Sequence, residues 1–97
     1  MDKPLLTVII PVYNTAEYLS RCIESVINQT EHNIEVVIIN DASTDASDTI
    51  IHNYITTDSK INYIKLSHNI GVGNARNIGI NVNAPYPVPF LSFEKLR

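Results

Sequence analysis

A chain of 97 residues has room for one domain, near the small end of what folds alone, and buries only roughly two-thirds of its unfolded surface. The apolar fraction of 44% against 18% charged residues is that of an ordinary globular protein, and a formal charge of −3 without a Lys/Arg cluster argues against nucleic acid as the main partner. The lone cysteine, Cys22, excludes an internal disulfide and a multi-cysteine zinc site.

The start, "MDKPLL", has no basic segment leading into a long apolar one, and no apolar run approaches the ~20 residues that span a bilayer. The expectation is therefore no signal peptide, no transmembrane segment and a cytoplasmic location. The first element is "LLTVIIPV" (5–12), a continuous apolar run rich in β-branched residues that reads as a strand buried on both faces. Ala16, Leu19, Ile23, Val26 and Ile27 then fall on one helical face, and Asn14 with Glu17 forms a capping-box-like start. "IEVVIIN" (34–40) is a second buried strand, and Ile50, Ile51, Tyr54 and Ile55 mark a second helix, expected to begin near Ser43 to Asp45. "INYIKL" (61–66) alternates apolar and polar residues more, as a strand nearer a sheet edge does. Val72, Ala75, Ile78 and Val82 mark a third helix, introduced by Gly71 and Gly73. Pro85, Pro87 and Pro89 break the pattern; prolines two apart remove N–H groups on one side, so residues 85–97 read as an edge strand or an irregular tail.

The order β-α-β-α-β-α predicts a three-layer α/β/α architecture around a mostly parallel sheet. In such sheets ligands sit beyond the carboxyl ends of the strands. That rule draws together "PVYN" (11–14), "NDASTD" (40–45) and "SHNIGVGNAR" (67–76). Asp41, at the end of a buried strand, is either an acceptor for a ligand N–H or hydroxyl, or a turn residue capping the next helix. Asp45 and Asp48 fit the first turn of a helix, and Ser43 and Thr44 fit its N-cap. Tyr13 either stacks on a planar base or covers the core's edge. Arg76 either reaches an anionic ligand or is a solvated surface residue.

Two patterns carry less than they suggest. "GVGNAR" starts like a dinucleotide fingerprint, but Arg76 holds the third glycine's place and the segment follows the third strand. His32, His52 and His68 lie on different elements without metal-ligand spacing.

Taken together, "TVIIPVYNTAEYLSRCIESVINQT", "IEVVIINDASTDAS" and "NIGVGNARNIGI" resemble the N-terminal half of family 2 glycosyltransferases, in register from about residue 5 to 82. The resemblance implies a Rossmann-like GT-A fold and transfer, with inversion, of a sugar from a nucleoside diphosphate, most often a UDP-sugar, with Mg²⁺ or Mn²⁺ in the full-length family. It implies that Pro11, Val12 and Tyr13 line the base and ribose site, that Asp41 accepts from the base N–H, and that Arg76 holds the nucleotide. The donor-binding set is then Pro11, Val12, Tyr13, Asn14, Asp41, Ser43 and Arg76, within a nucleotide-sugar-binding unit of residues 1–84. Ala42 stands where the family usually has glycine, which implies an ordinary backbone conformation there.

The run "APYPVPFLSFEKLR" departs from the pattern, with Ser92 and Glu94 where the family carries its metal-binding carboxylates. The sequence thus offers no metal or catalytic residue, and the expectation is a truncated transferase that is inactive alone. Peripheral membrane association belongs to the full-length enzyme, and self-association through the bare edge of strand one to the half-sheet. The alternative is a non-catalytic nucleotide- or partner-binding module. A receiver-type signalling domain is disfavoured, because it needs an acidic pair where this chain has "PVYN".

Overall fold

The computed structural model describes residues 6–28, 34–57, 61–83 and 90–92. Strand β1 (Leu6–Val12) is followed by helix α1 (Ala16–Ile27), β2 (Ile34–Asn40), α2 (Ser47–Ile55), β3 (Ile61–Lys65), α3 (Val72–Asn83) and β4 (Phe90–Ser92). All pairings are parallel, in the order β3-β2-β1-β4. Full-length pairing of β1 with β2, from Leu6 opposite Ile34 to Val12 opposite Asn40, fixes both strand ends at one rim.

The two faces of the sheet follow the period-two alternation of side chains. Val8, Ile10, Val12, Val36 and Ile38 point to α1 and α2, meeting Leu19, Cys22, Ile23, Val26 and Ile51. Ile9, Val37 and Ile39 point the other way and meet α3 through Ala75. Because β1 and β2 are covered on both faces, their odd and even positions are apolar alike, which is why they read as continuous runs. Full burial of each Ile or Val stabilises the fold by about 1.5–3 kcal/mol.

Helix α3 packs through small residues. Gly79 lies so close to the sheet that a Cβ there would stand 2.7 Å from Ile9 Cγ2 and 2.8 Å from Ile39 Cδ1. The core-facing side is therefore Ala75, Ile78 and Gly79, and Val72, expected on that face, is 49% exposed. Across the other layer, the Tyr54 hydroxyl donates to Glu24 at 2.6 Å and ties α2 to α1.

The bare edge expected for β1 is partly covered. β4 pairs with it from Thr7 to Ile9. Pro85, Pro87 and Pro89 fall outside the described residues, as does His32. With α1 and α2 on one face and α3 on the other, the chain leaves β1 toward β2 in one direction and returns to β4 on its other side. The switch point of the sheet is the β1/β4 boundary, and its carboxyl end is where such folds place ligands. No helix among the described residues is long and apolar enough to cross a membrane.

Candidate functional site

Asp41 is the first residue beyond β2 and is 2% exposed. Its N–H donates to the Val12 carbonyl at 2.7 Å, which fastens it to the end of β1. Its carboxylate turns toward the loop after β3: Oδ1 accepts from the Ile70 N–H at 2.8 Å, and Oδ2 accepts from the Gly71 N–H and from Asn69 Nδ2, both at 2.9 Å. A carboxylate offers about four acceptor positions. Among the described residues three are filled, and the fourth lies on Oδ1. Gly71 makes this approach with φ +96°, a conformation that only glycine adopts without strain. The capping role weighed for Asp41 is therefore not the one it takes; it holds the β3–α3 loop instead.

The next residue corrects an expectation. Ala42 has φ +62°, so alanine occupies a left-handed position that the usual glycine would fill freely. The turn is imposed by its surroundings: Ser43 N–H donates to the side chain of buried Asn40 at 2.9 Å, and Ser43 Oγ accepts from Asn14 N–H at 3.0 Å.

The capping box expected of Asn14 and Glu17 does not form either. Asn14 is itself left-handed, with φ +53°, and its side-chain oxygen reaches across to accept from the N–H groups of Thr44 at 2.7 Å and Asp45 at 3.3 Å. The first turn of α1 is capped from the other loop. Asp45 Oδ2 accepts from Ala16 N–H at 3.1 Å, while Oδ1 accepts from Ser47 N–H, the start of α2, at 2.9 Å. α2 thus begins later than expected, and Asp45 rather than Ser43 or Thr44 satisfies its first N–H. Partial burial alone would raise the Asp45 carboxyl, but hydrogen bonds from Ser47 and Ala16 outweigh it and hold the group below its ordinary value.

Sequence reasoning missed a second polar cluster behind the rim. Asn40 Nδ2 donates to the Tyr63 hydroxyl at 2.9 Å, and that hydroxyl donates to Asp48 Oδ1 at 2.5 Å. Lys65 Nζ lies 3.3 Å from Asp48 Oδ2, His52 Nε2 lies 3.4 Å from Oδ1, and the His52 ring meets Tyr63 edge-on. Burial, reinforced by Asp48, pushes the Tyr63 hydroxyl up to about 12. The Tyr63 hydrogen bond, with Lys65 behind it, pulls Asp48 down. The local signal was an Asn at the end of a strand that is apolar from Val36 to Ile39.

The remaining predicted site residues divide by exposure. Pro11 and Val12 are buried, and Val12 packs in the α1–α2 core with its carbonyl already engaged by Asp41. Tyr13 presents its ring at the rim, 49% exposed. Arg76 lies in the first turns of α3, next to buried Ala75 and five residues after Gly71. Cys22 is inert core, its thiol pushed up to about 11 by burial.

This geometry has relatives. Residues 7–82 match the sequence profile of Glycosyl transferase family 2. The chain belongs to that family. It is 49% identical over 76 residues to the glycosyltransferase GlyA of Streptococcus pneumoniae serotype 4, covering 78% of this chain and 11% of GlyA. It is 36% identical over 78 residues to GlyG of the same organism, covering 80% of this chain and 26% of GlyG. Among solved structures, S. aureus TarS 1-349 in complex with UDP-GlcNAc superposes with a TM-score of 0.75 at 27% identity, over 90% of this chain and 26% of that one. The mannosyltransferase PcManGT of Pyrobaculum calidifontis shares the fold, with a TM-score of 0.74 at 24% identity, over 84% of this chain and 25% of that one. This family 2 chain thus spans about a tenth to a quarter of these relatives, and its sheet is part of a GT-A fold.

Family 2 enzymes imply a divalent metal, and the described residues do not fit one. β4 runs parallel to β1 toward the same rim and ends on Ser92, which is not a carboxylate. No three His, Cys, Asp or Glu side chains are grouped to hold a metal ion among the described residues. Glu94 lies outside them.

Proposed function

We propose that the rim formed by the loops after β1, β2 and β3 is the donor-nucleotide site of a family 2 glycosyltransferase and takes the uridine end of a UDP-sugar for inverting transfer to an acceptor. The observation that carries this reading is the Asp41 carboxylate. It is held at the carboxyl end of the sheet by three N–H groups of the β3–α3 loop, and among the described residues one acceptor position is left on Oδ1. A uracil N3–H matches a single in-plane acceptor, and the same atom discriminates against bases that present an acceptor there. Tyr13, exposed one residue beyond the Val12 carbonyl that holds Asp41, supplies an aromatic face for the base.

Pro11 and Val12 form the floor under the base rather than contacts of their own. Asn14 and Ser43 border the ribose side, and Arg76 faces the negative charge of the nucleotide. The complex of the structural relative TarS with UDP-GlcNAc supports a uridine nucleotide as the ligand class. No residue of this chain is assigned a catalytic or metal-binding role. A second reading, a nucleotide-binding unit without transfer chemistry, is favoured by Ser92 at the end of β4.

Calorimetric titration tests the site. UDP is expected to bind weakly, at about millimolar Kd, and more tightly than CDP, whose N3 is an acceptor. Absence of heat and of thermal stabilisation at several millimolar UDP would overturn the reading. Release of UDP from a UDP-sugar by this chain would decide against the second reading.

A further inference from the structure

We infer that Asp45 is a positioning residue for the nucleotide: its carboxylate ties the loop presenting Tyr13 to the loop carrying Asp41, so that affinity for the uridine moiety depends on a side chain that does not touch it. The inference rests on the donor-site reading above. Its basis is the lacing between the two loops. Asp45 Oδ2 accepts from the first N–H of α1 and Oδ1 from the first N–H of α2, at 3.1 and 2.9 Å. Those N–H groups have no partner within their own helices. A negative charge at two helix N-termini also interacts favourably with both dipoles. One side chain therefore fixes the starts of two crossovers, whose helices also meet in the core and through the Tyr54–Glu24 hydrogen bond.

Asn14 completes the tie. Its side-chain oxygen accepts from the Thr44 and Asp45 N–H groups, and its own N–H donates to Ser43 Oγ. Asn holds the left-handed turn this demands, φ +53°, at lower cost than most residues would. Tyr13 lies between two fixed points, the end of β1 and Asn14, and its exposed ring depends on that backbone for its direction. Asp41 lies between the end of β2 and the laced segment 43–45. The separation of ring and carboxylate is set by the lacing, and Asp45 anchors the far end of it.

Two other roles fit less well. A direct contact of Asp45 with the diphosphate would set like charges together, and both of its oxygens already accept N–H groups. A cap serving stability alone would leave the affinity of the folded protein unchanged. Pre-organisation instead shows in binding, because a loosened loop must be ordered when the ligand arrives.

The test is a binding cycle on the 97-residue chain, at a temperature where circular dichroism shows every variant folded. Asp45→Ala is expected to weaken uridine and UDP by the same factor, about fivefold to twentyfold. In a Tyr13→Ala background the same substitution is expected to cost less than roughly twofold, since the group being positioned is gone. If Asp45→Ala does not fold, Asp45→Asn, which keeps the size and one oxygen, serves in both backgrounds with the same pattern at smaller amplitude. Unchanged affinity, a loss for UDP but not uridine, or full additivity with Tyr13→Ala would each overturn the inference while leaving the donor site standing. Wild-type protein that binds neither ligand would overturn both.

Discussion

Asp41→Ala removes the acceptor of three hydrogen bonds, from Ile70 N–H, Gly71 N–H and Asn69 Nδ2, at 2.8–2.9 Å. Hydrogen bonds to a charged acceptor contribute about 1.5–3 kcal/mol each, so the gross loss is about 5–9 kcal/mol. Two effects reduce it. Removing a carboxylate that is 2% exposed also removes the cost of desolvating it, several kcal/mol for a buried ion. The freed loop N–H groups can turn to water, because Asn69 is exposed and Ile70 and Gly71 are only half-buried. The net expectation is a destabilisation of about 2–3 kcal/mol, against about 5–15 kcal/mol for a domain of this size. The urea midpoint should fall by roughly 1–2 M with little change in slope. Native-state hydrogen exchange locates the effect: the Ile70 and Gly71 amides should lose their protection while the β1 and β2 amides keep theirs relative to global unfolding. Wild-type protection at Ile70 and Gly71 in the variant, or an unchanged midpoint, would refute the claim that Asp41 holds this loop.

Other substitutions probe the scaffold around the rim. Gly79→Ala places a methyl against Ile9 and Ile39 and should destabilise by about 1–3 kcal/mol in a urea melt, since the contacts are core side chains with little room to yield. Ala42→Gly relieves a left-handed alanine, worth about 1–2 kcal/mol, and loses roughly 0.4–1 kcal/mol to a more flexible unfolded chain, so a midpoint rise equivalent to about 0.5–1 kcal/mol is expected. Tyr63→Phe leaves the Asn40 amide and Asp48 without their shared hydroxyl and should cost about 1–3 kcal/mol. The same variant alters the alkaline limb of stability. With the Tyr63 hydroxyl raised from 10.0 to about 12, its contribution is full below pH 10 and lost as pH rises toward 12. Melts between pH 9 and 12 should show that loss in wild type and not in Tyr63→Phe. On the acid side Asp45 and Asp48 are both held below 3.8, so the stability they contribute is present above that pH and lost below it. Asp45→Asn should flatten that limb in acid titrations followed by circular dichroism.

Much of the scaffold was legible because periodicity reports burial directly. The centres of the two runs, 8–10 and 36–39, are apolar on both faces, and the strands they form are covered by helices on both sides. The 3.6-residue spacing of Leu19, Ile23 and Val26 likewise matches the buried stripe of α1. Periodicity misled at Val72, where an apolar residue precedes the part of α3 that touches the sheet, and at Gly79, where the absence of a side chain rather than its polarity makes the contact.

The rim was legible by position but not by wiring. The rule that ligands gather at strand carboxyl ends located Tyr13 and Asp41. It could not show that the Asp41 carboxylate is engaged by backbone N–H groups from another loop, because backbone donors carry no sequence signature. Asn14 illustrates the same gap. Its local pattern, Asn-x-x-Glu, fits a cap within one helix, whereas its oxygen accepts from Thr44 and Asp45 in a loop distant in sequence. Ala42 eludes sequence reading for a related reason: its φ is dictated by hydrogen bonds of its neighbours, Asp41 and Ser43, and alanine tolerates the strain.

Mapping UDP onto the backbone amides of this chain with ¹⁵N-edited spectra is the most direct test of the donor site. Saturable shifts are expected at Tyr13, Asn14, Asp41 to Ser43, Ile70 and Gly71, with α2 and the amino ends of the strands unmoved. Shifts confined to those other elements, or none at several millimolar UDP, would contradict the assignment of this rim to the nucleotide.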